Sequence, residues 1–173
     1  MSFREVTFRD ASPIKFSLSY RERERGVAYS NVLVASFDGD YRSGSAGAPD
    51  AMLIRGITQA AVTVWSPAGL ILDFRKLDYG WGDEMDMLLG PPDGLEIPTA
   101  VVGSDLCLPA IATLMFGMDT TKKATEQEGI FDSLDAAVAY VEARLQEKRI
   151  ALAEKYPPLP RKSWGLLSWI RKK

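Results

Sequence analysis

Histidine does not occur anywhere in the chain. Its absence removes the Ser-His-Asp and Cys-His arrangements, the commonest general base near neutral pH and the commonest metal ligand. Any catalysis would fall to Asp, Glu, Lys, Tyr or backbone groups. Cysteine is nearly absent too, and the lone Cys107 excludes both an intrachain disulfide framework and a zinc site of paired cysteines. A reducing compartment suits such a chain. No run approaches the roughly 18 apolar residues of a spanning helix, and the opening MSFREVTFRD lacks a basic stretch followed by an apolar one. Neither a signal peptide nor a membrane span is therefore expected, and the expected location is the cytoplasm. There is no Gly-Lys-Ser/Thr phosphate loop, and Gly80-x-Gly82 is too short for a dinucleotide fingerprint.

What is present is the composition of a soluble globular protein: 173 residues, 46% hydrophobic and 25% charged. That is enough for one domain with an ordinary core. The net charge of -2 hides an asymmetry. Residues 157-173 hold Arg161, Lys162, Arg171, Lys172 and Lys173 without an acid, which leaves -7 on residues 1-156. An acidic body with a basic tail argues against a nucleic-acid footprint and for a basic protein partner.

Along the chain, Phe3, Val6 and Phe8, then Ile14, Phe16 and Leu18, then Val32 to Phe37 alternate in the manner of three strands. RERERG at 21-26 reads as a solvated hairpin end. DGDYRSGSAGAPD at 38-50 is a loop; Asp38-Gly39-Asp40 lacks the further oxygen ligands of a calcium loop, so no metal is expected. Pro49-Asp50 opens a helix of about 16 residues, with Met52, Leu53, Ile57, Ala60, Ala61 and Val64 at helical spacing. Leu70 to Phe74 and Thr99 to Val102 have the continuous apolar character of strands buried on both faces, which implies a parallel sheet. Asp105 to Phe116 reads as an apolar helix and GIFDS at 129-133 as a short strand and turn. Leu134, Val138, Val141, Leu145 and Leu152 form one face of a long final helix. The alternation predicts a single α/β domain over 1-156, with a mixed β-sheet whose N-terminal part is antiparallel, βαβ units, and helices packed on the sheet. Pro157, Pro158 and Pro160 then lead into a basic amphipathic tail. Its Trp164 and Trp169 suit three surfaces: the chain's own body, a partner groove, or peripheral contact with an anionic membrane.

The segment LDFRKLDYGWGDEMDMLL at 72-89 runs from strand through turn toward a helix, where α/β sheets place their ligands. Asp83, Glu84 and Asp86 would repel phosphate, and acids at a helix start need no function to be there. Trp81, between two glycines, has little reason to be core and is a candidate binding anchor. Asp78, Tyr79, Trp81, Asp83, Glu84 and Asp86 are therefore the expected contact residues, together with Trp164 and Trp169 of the tail. Cys107 reads as a small core hydrophobe, and Asp73 as a residue that turns or caps the backbone.

VTVWSPAGLILDFRKLDYGWGDEMDMLL, then PTAVVGSD, then GIFDSLDAAVAYVEARL resemble the STAS domain of anti-sigma factor antagonists over roughly 62-145. The resemblance implies a buried strand, a turn and helix that dock a partner, and a serine at the start of that helix for phosphorylation by a partner kinase. Here Gly80, Trp81 and Gly82 stand where that family has its Asp-Ser-Ser-Gly-like run, and no serine or threonine lies between Ser66 and Thr99. The phosphoswitch is thus expected to be missing. A fainter resemblance to the crotonase core implies instead an acyl-CoA enzyme or binder relying on backbone amides, although the long glycine-rich loop of that family is not here. The leading expectation is a non-catalytic, cofactor-free protein-binding module, an antagonist or an immunity-type protein of bacterial kind.

Overall fold

The computed structural model describes residues 3-22, 30-92 and 94-156. A one-turn helix α1 (Phe8–Ala11) precedes strands β1 (Lys15–Arg21) and β2 (Val32–Asp40). Helix α2 (Ala48–Trp65) leads to β3 (Gly69–Asp78), and β4 (Thr99–Val102), α3 (Leu108–Phe116), β5 (Ile130–Phe131) and α4 (Leu134–Lys155) follow. The strands lie side by side in chain order β1-β2-β3-β4-β5; β1 runs antiparallel to β2, and the other pairs are parallel. This is the mixed α/β sheet that the alternation predicts, with its antiparallel part at the N-terminal edge.

Successive parallel strands advance in one direction across the sheet, so their crossovers fall on one face. There Leu53, Ile54, Ile57 and Ala61 of α2 and Ile111 and Ala112 of α3 pack on Leu33, Ala35, Leu70, Leu72, Phe74 and Val101. On the opposite face Ala137, Val141 and Leu145 of α4 cover Val32, Ile71, Ala100 and Val102. The central strand therefore feeds two cores, which is why its sequence is apolar without alternation. Gly69 is needed where α4 meets it, because a Cβ there would lie 2.4 Å from Val141 Cγ1.

Local chemistry sets the ends of the helices. α2 begins with Pro49 in its first turn and stops at Ser66, which turns left-handed (φ 44) just before Pro67. α4 is capped by Ser133, whose Oγ accepts from Ala136 N at 3.1 Å, with Asp135 in its first turn and Lys155 in its last.

Several sequence expectations are corrected. Phe3 to Phe8 is not a strand: Asp10 accepts from Thr7 N at 2.7 Å and closes the α1 turn, leaving Phe3, Val6 and Phe8 exposed. Within α2 the buried stripe is Leu53, Ile54, Ile57, Ala61 and Val62, while Met52 and Val64 face outward. α3 starts at Leu108 and not at Asp105, because Ser104 Oγ accepts from Leu106 N at 3.2 Å and holds 105-107 in a turn. The helix expected after the acidic turn is a single 3-10 turn, Met85–Leu88. Most of the 21-26 hairpin end and the whole tail, Trp164 and Trp169 included, lie outside the described residues. Among the described residues no helix is long and apolar enough to cross a membrane.

Candidate functional site

β2 and β3 end together, Asp40 beside Asp78, while β4 stops earlier, Val102 beside Asp73; their loops, 41-47, 79-84 and 103-107, are joined at the carboxyl edge of the sheet. Backbone bonds tie the three into one unit. Tyr41 N donates to Asp78 O at 2.9 Å, Tyr79 N to Leu106 O at 3.0 Å, and Asp83 N to Gly44 O at 3.3 Å.

Two tyrosines hold the turn from below. β2 ends in Asp40-Tyr41 and β3 in Asp78-Tyr79, and Asp40 and Asp78 are partners in register. The rings that follow them meet edge to face at 5.2 Å, both buried. Tyr41 Oη donates to Asp83 O at 2.6 Å, and Tyr79 Oη donates to Gly82 O at 3.1 Å. Consecutive carbonyls of the turn are thus fixed by consecutive-strand hydroxyls. Burial pushes both phenols up; the neighbouring Tyr79 and the acids of the turn add to this at Tyr41, so each stays a neutral donor. Gly47 and Gly82 make room for the Tyr41 ring, since a Cβ would come within 2.3 Å of it at the first and 2.8 Å at the second.

On this frame Trp81 is displayed outward, 64% exposed. Its ring lies against the backbone of Gly44 (φ 59), where a Cβ would meet Trp81 Cη2 at 3.1 Å, so the indole rests on the loop rather than in the core. In the same segment Asp78, Asp83 and Asp86 are exposed and Glu84 is half-buried; the sequence between Leu77 and Leu89 has no Lys or Arg, and Arg55 of α2 reaches it from outside, its Nη1 3.6 Å from Met87 Sδ. Glu84 sits left-handed (φ 69), and its Oε2 is closed off from solvent with no hydrogen-bond donor among the described residues. Of the expected contact residues, Tyr79 is buried and reaches the surface only through the turn it holds.

Sequence reasoning missed the support beneath the turn. Asp50, fully buried at the start of α2, accepts from Ser12 Oγ (2.6 Å), Arg42 N (2.9 Å), Arg42 Nε (2.9 Å) and Arg42 Nη2 (2.6 Å). Arg42 Nη2 also donates to Ala11 O at 2.9 Å, so one carboxylate joins the N-terminal arm, α2 and the loop that carries Gly44. Burial works to raise the Asp50 carboxyl, but the bonds from Arg42 and Ser12 outweigh it and hold it below the usual carboxylate range. The visible signal was the repeated Asp-Tyr at two strand ends; an ion pair between a buried carboxylate and a part-exposed guanidinium eight residues away has none.

The other reactive groups near the site are few. Cys107 is buried, its Sγ 3.5 Å from Phe74 O, and burial raises its thiol away from the reactive thiolate. Among the described residues no three carboxylates are gathered so as to hold a metal ion.

Comparison with solved structures finds the crystal structure of an anti-sigma factor antagonist from Mycobacterium paratuberculosis. The two chains are 19% identical, with a TM-score of 0.42, over 73% of this chain and 95% of that one. The neighbour belongs to the class that the sequence resembles, and a likeness of that degree says nothing of what this chain binds. No family model and no curated protein matches the chain.

Proposed function

We propose that the protein is a non-catalytic binding module that neutralises a basic protein partner through the turn at 78-86, in the manner of an antagonist or immunity-type protein. The observation that carries this is Trp81: an indole 64% exposed on a frame fixed by two tyrosine hydroxyls, in a segment that holds four acids and no Lys or Arg of its own. Tryptophan is the residue most enriched at energetic centres of interfaces, and a rigid display reduces the ordering cost of binding. Acids around it steer a cationic partner and discriminate against acidic ones. The -7 charge of residues 1-156 acts in the same sense and disfavours nucleic acid. A cytoplasmic setting fits the lone buried thiol.

The magnitude follows from area. A tryptophan buries about 150–250 Å², and the exposed fraction of Trp81 would return about 2–4 kcal/mol at about 25 cal/mol/Å² before ordering costs. Affinity capture from the source cells with wild-type bait, then calorimetry on the recovered protein, tests it. Trp81→Ala with Asp83→Lys should weaken binding by about 2 kcal/mol, roughly 30-fold, with circular dichroism unchanged. Equal affinity of the folded double variant would refute the assignment.

A further inference from the structure

The sheet face under α4 is apolar only part of the way across. Ile71, Ala100 and Val102 meet Val141 and Leu145, and the contacts of α4 concentrate on β3, β4 and β5. Toward β1 and the carboxyl ends of β2 and β3 the lining turns polar, and a depression of about 450 Å³ opens there.

A register fault decides what the depression holds. Ser36 pairs with Asp73 but Asp38 pairs with Lys76, so β3 carries one residue more than β2 over this stretch. The bulge breaks strict alternation: Arg75 and Lys76, neighbours in sequence, are both exposed, while Phe74 before them and Leu77 after them are buried. Ser104 Oγ donates to Arg75 O at 2.8 Å and Cys107 Sγ lies against Phe74 O, so the loop after β4 fixes the bulged carbonyls. Bulges held in this way re-aim side chains beside functional sites.

Lys15 and Lys76 are the register partners of Asp38 on either side, so Lys15, Asp38 and Lys76 form a row across three strands. Arg75 and Asp73 are already engaged with each other: Nε and Nη2 donate at 2.8 Å each, and Ser36 Oγ adds a bond to the same carboxylate. That leaves two ammonium groups facing one carboxylate, and neither lysine makes an ion pair among the described residues. In a body of charge -7 this concavity is locally positive.

We propose that the depression is a binding site for a small anion, whose phosphate or carboxylate group is held between Lys15 and Lys76. The volume falls in the range of small-ligand pockets, about 300–1,000 Å³, and an open polar site implies modest, salt-sensitive affinity. Amide chemical-shift titration of the full chain at low ionic strength, with pyrophosphate in one arm and citrate in the other, tests it and separates phosphate from carboxylate preference. Saturable shifts centred on residues 15-17, 36-38 and 75-76 with at least one probe are expected. Lys15→Gln with Lys76→Gln should weaken that binding about 10-fold or more, and Lys15→Arg with Lys76→Arg should keep it. Lys122→Gln, a distant surface lysine, should leave it unchanged. No saturable shift with either probe, or equal affinity in the folded Gln double variant, would overturn the site.

Discussion

Removing the Asp50 carboxylate should cost more than any other single change at the loop beneath Trp81. Asp50→Ala deletes four accepted hydrogen bonds at one stroke. Ser12, itself buried, and the Arg42 backbone N–H would be left without their acceptor, at about 1–2 kcal/mol each. The Arg42 guanidinium contributes less, because its side chain is 40% exposed and it keeps the bond to Ala11 O, so the full loss of about 3–5 kcal/mol for a broken buried pair does not apply. A net loss of about 3 kcal/mol follows, a fall in Tm of roughly 6–12 °C for a domain of this size. Thermal unfolding at pH 7 measures it, and amide exchange at Asp83, whose N–H is bonded to Gly44 O, should quicken as the loop loosens. A fall below about 1 °C would show that the Asp50 bonds do not hold the loop. The sign with pH is also set. Asp50 has a folded pKa below its unfolded value, so its stabilisation is complete above about pH 4 and is lost as pH falls through the depressed value. The gap between wild type and Asp50→Asn should therefore narrow on acidification, and a constant gap down to about pH 2 would contradict the assigned role.

Two further changes probe the turn and the core beneath it. Glu84→Gly removes a left-handed non-glycine residue and a carboxylate oxygen shut away from any donor; stability should rise by roughly 1 kcal/mol, and a lower Tm would count against strain at this position. Cys107 should resist a thiol reagent in the native protein and react only on unfolding, since its thiol is buried and raised by burial; rapid native labelling would place it in a reactive setting instead.

The sheet was legible because its signals are strong and local. Leu70 to Phe74 and Thr99 to Val102 have no polar alternation to mislead, and Pro49, Ser66-Pro67 and Ser133 punctuate the helices by their own backbone chemistry. The front of the chain was misread for the same kind of reason. Phe3, Val6 and Phe8 alternate as a strand would, yet Asp10 captures Thr7 N first, and a strand there would have needed a neighbour beyond β1. Periodicity reports which residues could share a face, not whether a partner exists to cover it. Trp81 stood out because a large aromatic between glycines has no packing explanation within its own segment. Tyr41, Asp50 and Arg42 did not, since their importance lies in contacts between elements that no local pattern encodes.

The division of roles within the turn explains why its residues are so unequal in kind. Exposed carboxylates in water at physiological salt interact over about 8 Å, and pairs at the surface are worth about 0–1 kcal/mol. Asp78, Asp83 and Asp86 alone would therefore hasten encounter with a cationic partner without holding it. Trp81 alone would hold almost any apolar surface without choosing one. The buried tyrosines resolve this by keeping the indole and the acids at one spacing: Tyr41 fixes Asp83 O, Tyr79 fixes Gly82 O, and Trp81 is the residue just before those two carbonyls. A flexible turn would have to order its backbone on binding, at about 1–2 kcal/mol per residue, which would consume the return expected from Trp81. In the proposed function, the rigidity given by two phenol hydroxyls would turn an exposed tryptophan from a solubility liability into a contact of defined geometry.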